Sequence, residues 1–288
     1  MEVTTIGIIG AGAMGTGIAQ VAAQAGLRVH LLDISEGAIT ASRTRLDGSL
    51  QDGIAREKLT GEQAEEVRRL IAWDTAYGRL AEADWVIEAT FEDFAVKERV
   101  LREAAGFVRA RAPMASNTST FPIAELSRCW SQPECFLGMH FFNPPPAMKL
   151  VEVVAGESTL PSITEAALAL CERLGKTGVI APDIPGFVVN RAMAALVAAA
   201  IDVCAQGGDP AAVDQSIELG LGHRMGPLKT ADLVGLDLML AVLRSLHDQT
   251  GHPRFEPPEQ LVALVESGRL GRKTGQGFYS YDNQSTST

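Results

Sequence analysis

His140 and Glu152 stand twelve residues apart in two apolar runs, Phe136–Phe142 (FLGMHFF) and Lys149–Val154 (KLVEVV), separated by the proline-rich stretch NPPPAM. If the runs are strands paired antiparallel about a centre near Pro146, positions 140 and 152 fall opposite each other. Both then point to one face, because strand side chains alternate. Glu152 is the only acid in Leu150–Ala155, and a carboxylate there is costly to bury without a partner. An imidazole is such a partner: the carboxylate fixes its tautomer and stabilises the imidazolium, as a general base for alcohol oxidation requires. Spacing alone fits a lone core histidine and an unrelated edge-strand glutamate equally well, so the pair gains meaning only from its surroundings.

Two further polar positions could join it. Pro113–Thr118 (PMASNT) reads as a short strand running into a turn, which puts Asn117-Thr118-Ser119 in the kind of loop where a doubly wound sheet presents groups to a ligand. Ser119 could hydrogen-bond the same substrate hydroxyl as His140, or the triplet could simply cap its own turn. Asn190 falls on the first helix after a Pro/Gly interruption, facing back toward a cleft or standing exposed near a helix start.

A cofactor site is written at the other end. Gly10, Gly12 and Gly15 form G-x-G-x-x-G after the short β-branched run Thr5–Ile9 and before a small-residue helix. The first glycine permits a tight turn, the second lets backbone approach a pyrophosphate, and the third lets helix and strand pack closely. Ala13 and Met14 lie in the same phosphate-binding turn, where a helix N-terminus offers free N–H groups and partial positive charge. Asp33 closes the next strand, Arg28–Asp33, 18 residues after Gly15. Its carboxylate suits the ribose hydroxyls of NAD and would repel the 2′-phosphate of NADP. FAD shares the fingerprint, but alcohol oxidation by an imidazole base speaks for NAD.

These groups need a scaffold. The first forty residues alternate strand, turn, helix and strand. From Ile34 to about Arg69 the chain reads as two helices broken near Thr60–Gly61, with Leu46, Leu50, Ile54 and Leu59 on one apolar face. Leu70–Trp73, Trp85–Ala89 and Lys176–Ile180 read as strands, Lys97–Val108 and Ser162–Leu174 as helices. At Ala181–Phe187 (APDIPGF) the alternation stops, and the remainder, starting with Val188–Cys204, is helical. The expected fold is α/β, a Rossmann-type mostly parallel sheet over residues 1–183 with an all-helical C-terminal domain over 184–288. The tail 283–288 reads as loose, low-complexity sequence.

Composition narrows the function classes. The chain has 288 residues, 46% hydrophobic and 21% charged, with a formal net charge of −10. That acidic balance gives no general attraction to nucleic acid or to an anionic membrane. The longest uncharged apolar run, Ala192–Ile201, is ten residues and too short to span a bilayer. The opening MEVTT leads straight into a strand pattern with no room for a secretory signal, and the four cysteines show no metal-ligand spacing. The expectation is a cytoplasmic protein with free thiols and no metal.

The sequence resembles the L-3-hydroxyacyl-CoA dehydrogenase family, in its short bacterial 3-hydroxybutyryl-CoA dehydrogenase type. The matching stretches are GAGAMGTGIAQ (10–20), VIEATFEDFAVK (86–97), SNTST (116–120), GMHFFNPPPAMKLVEVV (138–154), DIPGFVVNR (183–191), MGPLKTADLVGLD (225–237) and GRKTGQGFY (271–279), in the family's order over nearly the whole chain. The resemblance implies His140 as general base, Glu152 as its orienting partner, and Ser119 and Asn190 as substrate-binding groups. It implies Asp33 at the adenosine ribose, and Glu92, Lys97, Asn117 and Asn143 near the nicotinamide end of the cofactor. Ser49 and Arg56 align with positions near coenzyme A, in a helical segment that matches poorly. Thr120 stands where the family usually has a second serine.

The resemblance further implies oxidation of a (S)-3-hydroxyacyl-CoA thioester to the 3-oxoacyl-CoA, and a homodimer through the helical domain. Three alternatives stay open: a dehydrogenase of a free hydroxy acid, as in the related L-gulonate and crystallin proteins; a 3-hydroxyadipyl-CoA dehydrogenase; and a non-catalytic NAD-binding protein. Phe141, Phe142, Met148 and Met193 are either pocket walls or plain core. Acyl-chain length and pathway are not encoded in any motif.

Overall fold

The computed structural model describes residues 2–281, so the tail segment read as loose lies outside the described residues. The chain divides into two compact units, Met1–Ile184 and Pro185–Thr288.

The first unit is built on one eight-stranded sheet. Its strands are β1 (Thr5–Ile9), β2 (Arg28–Leu32), β3 (Ile71–Asp74), β4 (Trp85–Glu88), β5 (Met114–Ser116), β6 (Phe136–Phe141), β7 (Leu150–Ala155) and β8 (Thr177–Ala181). Its helices are α1 (Ala13–Gln24), α2 (Glu36–Ala55), α3 (Gly61–Leu70), α4 (Phe94–Ala104), α5 (Ile123–Ser127) and α6 (Pro161–Arg173). Strand order is β3-β2-β1-β4-β5-β6-β7-β8. All neighbours are parallel except β6 and β7, which pair antiparallel with His140 opposite Glu152, the register the hairpin spacing predicts. β1, β4, β5 and β6 are buried along their whole lengths, as continuous apolar runs in a helix-covered parallel sheet should be. β8 differs: it is the sheet edge, with Val179 and Ile180 exposed, so apolar content alone misjudges its burial.

Helices α1, α2, α3 and α6 supply one side of the larger core, in which Leu46 and Leu50 are buried and Ile54 and Leu59 pack against them. The break between α2 and α3 is set by Thr60, whose hydroxyl accepts from Gln63 N while the Gln63 side chain accepts from Thr60 N, a reciprocal cap. α4 begins at Phe94, three residues before the expected start at Lys97. Asp93 accepts from Val96 N and starts the helix earlier than its apolar periodicity shows. α5 was not expected: five residues are too few to produce a periodic signal.

The second unit is helical: α7 (Val189–Ala205), α8 (Pro210–Leu221), α9 (Pro227–Val234), α10 (Leu236–Thr250) and α11 (Glu259–Glu266). Its own core gathers Val197, Ile201, Leu228, Leu236, Leu243 and Phe255. No helix among the described residues is long and apolar enough to cross a membrane.

Candidate active site

Strand order reverses direction between β1 and β4, the switch point where the loops after the two strands diverge and a doubly wound sheet takes its ligand. The two loops are closely matched. Gly10 has φ +107°, and a Cβ there would lie 2.5 Å from the Ala89 carbonyl oxygen. A Cβ on Gly15 would collide with the Gly10 carbonyl. Gly12 is the exception, with nothing within 4 Å of its would-be Cβ. Two glycines are therefore demanded by the protein's own packing, and the middle one keeps an open approach. No side chain caps α1 and no acid lies in its first turn, which contains Ala13 and Met14. The N–H groups at this end stay available for an anion.

Asp33 closes this cradle. One of its carboxylate oxygens accepts from Ala11 N at 2.9 Å and the other from Ser35 N at 3.0 Å. Each oxygen keeps a second acceptor position, as two adjacent ribose hydroxyls require. These features fit a dinucleotide whose pyrophosphate crosses Gly12 and whose ribose meets Asp33.

The candidate proton-transfer pair sits on the far half of the sheet, on β6 and β7. His140 Nδ1 lies 2.8 Å from Glu152 Oε2, with both side chains buried. The Phe142 ring lies against the imidazole, 4.4 Å between centroids. After β5 the chain turns through 117–120. Asn117 N donates to the Glu88 carbonyl at 2.8 Å and its Oδ1 accepts from Phe141 N at 2.9 Å, which ties this loop to the residue following His140. Ser119 and Thr120 are half-buried.

Glu92 organises that loop. Its Oε1 accepts from Thr118 Oγ1 (2.7 Å), Ser119 N (2.8 Å), Thr120 N (3.0 Å) and Thr120 Oγ1 (2.6 Å), and lies 3.4 Å from Ser119 Oγ. Burial pushes the Glu92 carboxyl up, but the Lys97 ammonium and these donors outweigh it and hold it below the usual carboxylate range. Thr120, the departure from the family's usual serine, supplies two of these bonds.

The hairpin turn is fixed on the cofactor side. Its Asn143–Pro144 peptide is cis, and Asn143 is exposed. Gly17 in α1 lets Pro145 approach so closely that a Cβ would lie 2.7 Å from the proline Cδ. Lys176 Nζ donates to the carbonyls of Pro145 and Met148 at 2.6 and 2.8 Å. The structure thus joins His140, Glu152, Asn117, Ser119, Glu92 and Lys97 through contacts within the first unit. Ser49, half-buried, lies in the C-terminal half of α2 and Arg56, exposed, is its C-cap; the hydrogen bonds that join the cluster involve neither. Asn190 belongs to the second unit, half-buried in the first turn of α7. Of the aromatic and methionine residues, Phe141 is core, while Phe142 and Met193 are half-buried and Met148 is exposed.

Glu88 was missed by sequence reasoning. It closes β4 with its side chain fully buried, and its carboxylate binds Lys97 Nζ, Ser116 Oγ and Thr90. The signal was available, since Glu88 ends an apolar strand just as Glu152 interrupts one. All four cysteines are free, and burial pushes the Cys171 thiol up to about 12. Among the described residues no group of three His, Cys, Asp or Glu side chains could hold a metal ion.

Comparison with known proteins agrees with this geometry. Residues 5–184 match the family model of the 3-hydroxyacyl-CoA dehydrogenase NAD-binding domain, and residues 186–281 match that of the 3-hydroxyacyl-CoA dehydrogenase C-terminal domain. A Bradyrhizobium diazoefficiens protein named 3-hydroxybutyryl-CoA dehydrogenase is 37% identical over 96% of this chain and 94% of its own length. A Mycobacterium tuberculosis protein of the same name is 38% identical over 96% of this chain and 98% of its own. The crystal structure of a (S)-3-hydroxybutyryl-CoA dehydrogenase from Ralstonia eutropha superposes with a TM-score of 0.93 at 39% identity, covering 98% of this chain and all of that one.

Proposed function

Because this chain belongs to the 3-hydroxyacyl-CoA dehydrogenase family, and so couples NAD to the oxidation of a 3-hydroxyacyl-CoA thioester, we propose that its substrate is short-chain, (S)-3-hydroxybutyryl-CoA, interconverted with acetoacetyl-CoA. The observation that carries the mechanism is the 2.8 Å contact of His140 Nδ1 with buried Glu152, on strands tied by Asn117 to the Ser119 loop. The substrate in the relatives' names supports the chain length.

The dinucleotide held at Gly12 and Asp33 would supply the hydride acceptor for C3. With Nδ1–H donating to Glu152, the imidazole lone pair is on Nε2, which takes the proton of the C3 hydroxyl as C–O becomes C=O. Glu152 fixes that tautomer and stabilises the imidazolium as it forms. Ser119 Oγ hydrogen-bonds the reacting oxygen, and the Asn190 amide serves the C3 or thioester oxygen. Gly10, Gly12, Ala13, Met14, Gly15 and Asp33 hold the adenosine half of the cofactor, with Glu92, Lys97, Asn117 and Asn143 at its nicotinamide end. Ser49 and Arg56 meet the coenzyme A moiety. Residues 1–183 thus carry the cofactor and the proton-transfer pair.

Residues 184–288 form the substrate and dimerisation part, with Asn190 as its substrate-binding group. Leu219, Leu221, Val203 and Leu238 stand exposed on its helices, which supports a homodimer through this unit. The free thiols support a cytoplasmic location.

The test is NADH oxidation with acetoacetyl-CoA, longer 3-oxoacyl-CoAs, 3-oxoadipyl-CoA and free acetoacetate. Acetoacetyl-CoA should give the highest kcat/KM and acetoacetate none. A preference for the dicarboxylic or a long-chain thioester overturns the substrate assignment, and turnover of acetoacetate overturns the need for coenzyme A.

A further inference from the structure

Lys97 is 1% exposed, and its ammonium is matched by three carboxylate contacts: Glu88 Oε1 at 2.9 Å, Glu88 Oε2 at 3.1 Å and Glu92 Oε2 at 3.2 Å. An ammonium has three N–H donors, so these contacts absorb its hydrogen-bonding capacity. Beneath it, Glu88 is fully buried and still satisfied on both oxygens. Oε1 accepts from Thr90 N at 2.7 Å and Thr90 Oγ1 at 2.5 Å, and Oε2 accepts from Ser116 Oγ at 2.6 Å. Two routes lead from this carboxylate to the loop bearing Ser119. One runs through Ser116 Oγ, which accepts from Thr118 N at 3.2 Å. The other runs through Lys97 to Glu92 and its four strongest donors in residues 118–120. The Glu88 carbonyl adds a third tie by accepting from Asn117 N.

A buried ion pair is a poor way to gain stability, because an apolar pair of similar volume does as well or better. What it does supply is fixed side-chain geometry beyond the point where the β4–β5 backbone pairing ends at Glu88 and Asn117. We propose that the Glu88–Lys97 pair is a positioning device for the substrate loop: Glu88 anchors Lys97, Lys97 holds Glu92 in place, and Glu92 sets the position of the Ser119 hydroxyl over the reacting oxygen. Lys97 therefore serves the nicotinamide end by orienting Glu92. The inference rests on Ser119 acting as a substrate-binding group.

Glu88→Gln removes the charge and keeps one acceptor oxygen, which can serve Thr90, while its NH₂ takes the place of the oxygen that accepts from Ser116 Oγ. It should lower kcat/KM for acetoacetyl-CoA by about 10- to 100-fold, chiefly in kcat, as a loop displaced by a fraction of an ångström does. The Kd for NADH, read by fluorescence titration, should change far less than kcat, because Gly12 and Asp33 at the adenosine half are untouched. Ser119→Ala should be costly in the wild-type background and nearly silent in Glu88→Gln, because the hydroxyl is already out of place. Lys97→Met strands the buried Glu88 carboxylate and should lower Tm. Adding Glu88→Gln to it should restore Tm while kcat stays low.

Equal cost of Ser119→Ala in both backgrounds, or recovery of kcat together with Tm in the double variant, makes the pair structural and overturns the inference. A Ser119→Ala variant that turns over normally in the wild-type background removes Ser119 from the site, and the inference falls with it. Should Lys97→Met fail to fold, the Glu88→Gln and Ser119→Ala cycle decides alone.

Discussion

Replacing Glu152 by Gln removes one charge and keeps the side chain's size, which isolates what the carboxylate does for His140. Glu152 is 2% exposed and 2.8 Å from Nδ1, so solvent screens the interaction little. A hydrogen bond to an ionised partner contributes about 1.5–3 kcal/mol, against about 0.5–1.5 kcal/mol for a neutral one. The imidazolium formed during proton transfer should therefore lose about 1–1.5 kcal/mol of support. At about 1.4 kcal/mol per factor of ten, kcat should fall roughly tenfold if the glutamine turns its carbonyl oxygen to Nδ1–H. If it turns its NH₂ instead, the tautomer reverses, the proton moves to Nε2, and the fall should reach about 10²-fold or more. Neutralising a desolvated carboxylate costs the fold little, so Tm should stay within a few degrees of wild type. The assay is the initial rate of NADH oxidation with saturating acetoacetyl-CoA, beside a thermal melt. A kcat within about twofold of wild type refutes the paired role, since no transition-state interaction would have been lost.

The glycines should separate cleanly. Gly15→Ala forces a methyl onto the Gly10 carbonyl and should lower stability by about 1–3 kcal/mol, seen as a drop in Tm. Gly12→Ala meets nothing within 4 Å, so it should melt normally yet bind NADH more weakly. Normal NADH affinity in a folded Gly12→Ala variant would contradict the pyrophosphate path. Asp33→Ala should weaken NADH and narrow the preference over NADPH, and paired titrations that show no change in the ratio would remove Asp33 from the ribose. Burial pushes the Asp84 carboxyl up, but hydrogen bonds from Thr4 and Thr5 and the Arg109 guanidinium outweigh it and hold it at about 2. A group depressed on folding stabilises above its unfolded value, here about 3.8, and loses that contribution as pH falls toward 2. Urea melts across that window should show the loss in the wild type and a flatter slope in Asp84→Asn; parallel slopes would count against it.

The sequence made some of this plain for identifiable reasons. Gly10 and Gly15 are forced by backbone collisions and Gly12 is left open between them, so the three leave a fixed spacing that is legible as a dinucleotide fingerprint. The His140–Glu152 register follows from alternation and the length of the NPPPAM connection, both local quantities. Glu88 escaped because its partners are Lys97 on a helix and Ser116 on another strand, and no short-range period links the three. The early start of α4 shows a cap overriding periodicity, since Asp93 satisfies a backbone donor ahead of the first apolar turn. Exposure at β8 was equally hidden: TGVIA reads as a core strand, and only the strand order places it at an edge.

The imidazole carries the proposed proton transfer, and His140→Gln probes it with the least disturbance. Stopped-flow measurement of NADH oxidation should show the hydride-transfer rate with acetoacetyl-CoA reduced by about 10²- to 10⁴-fold. The Kd for NADH should match the wild type, because the proposed cofactor cradle, Gly10–Gly15 and Asp33, does not include His140. A variant that binds NADH normally and transfers hydride at close to the wild-type rate would show that some other group moves the proton.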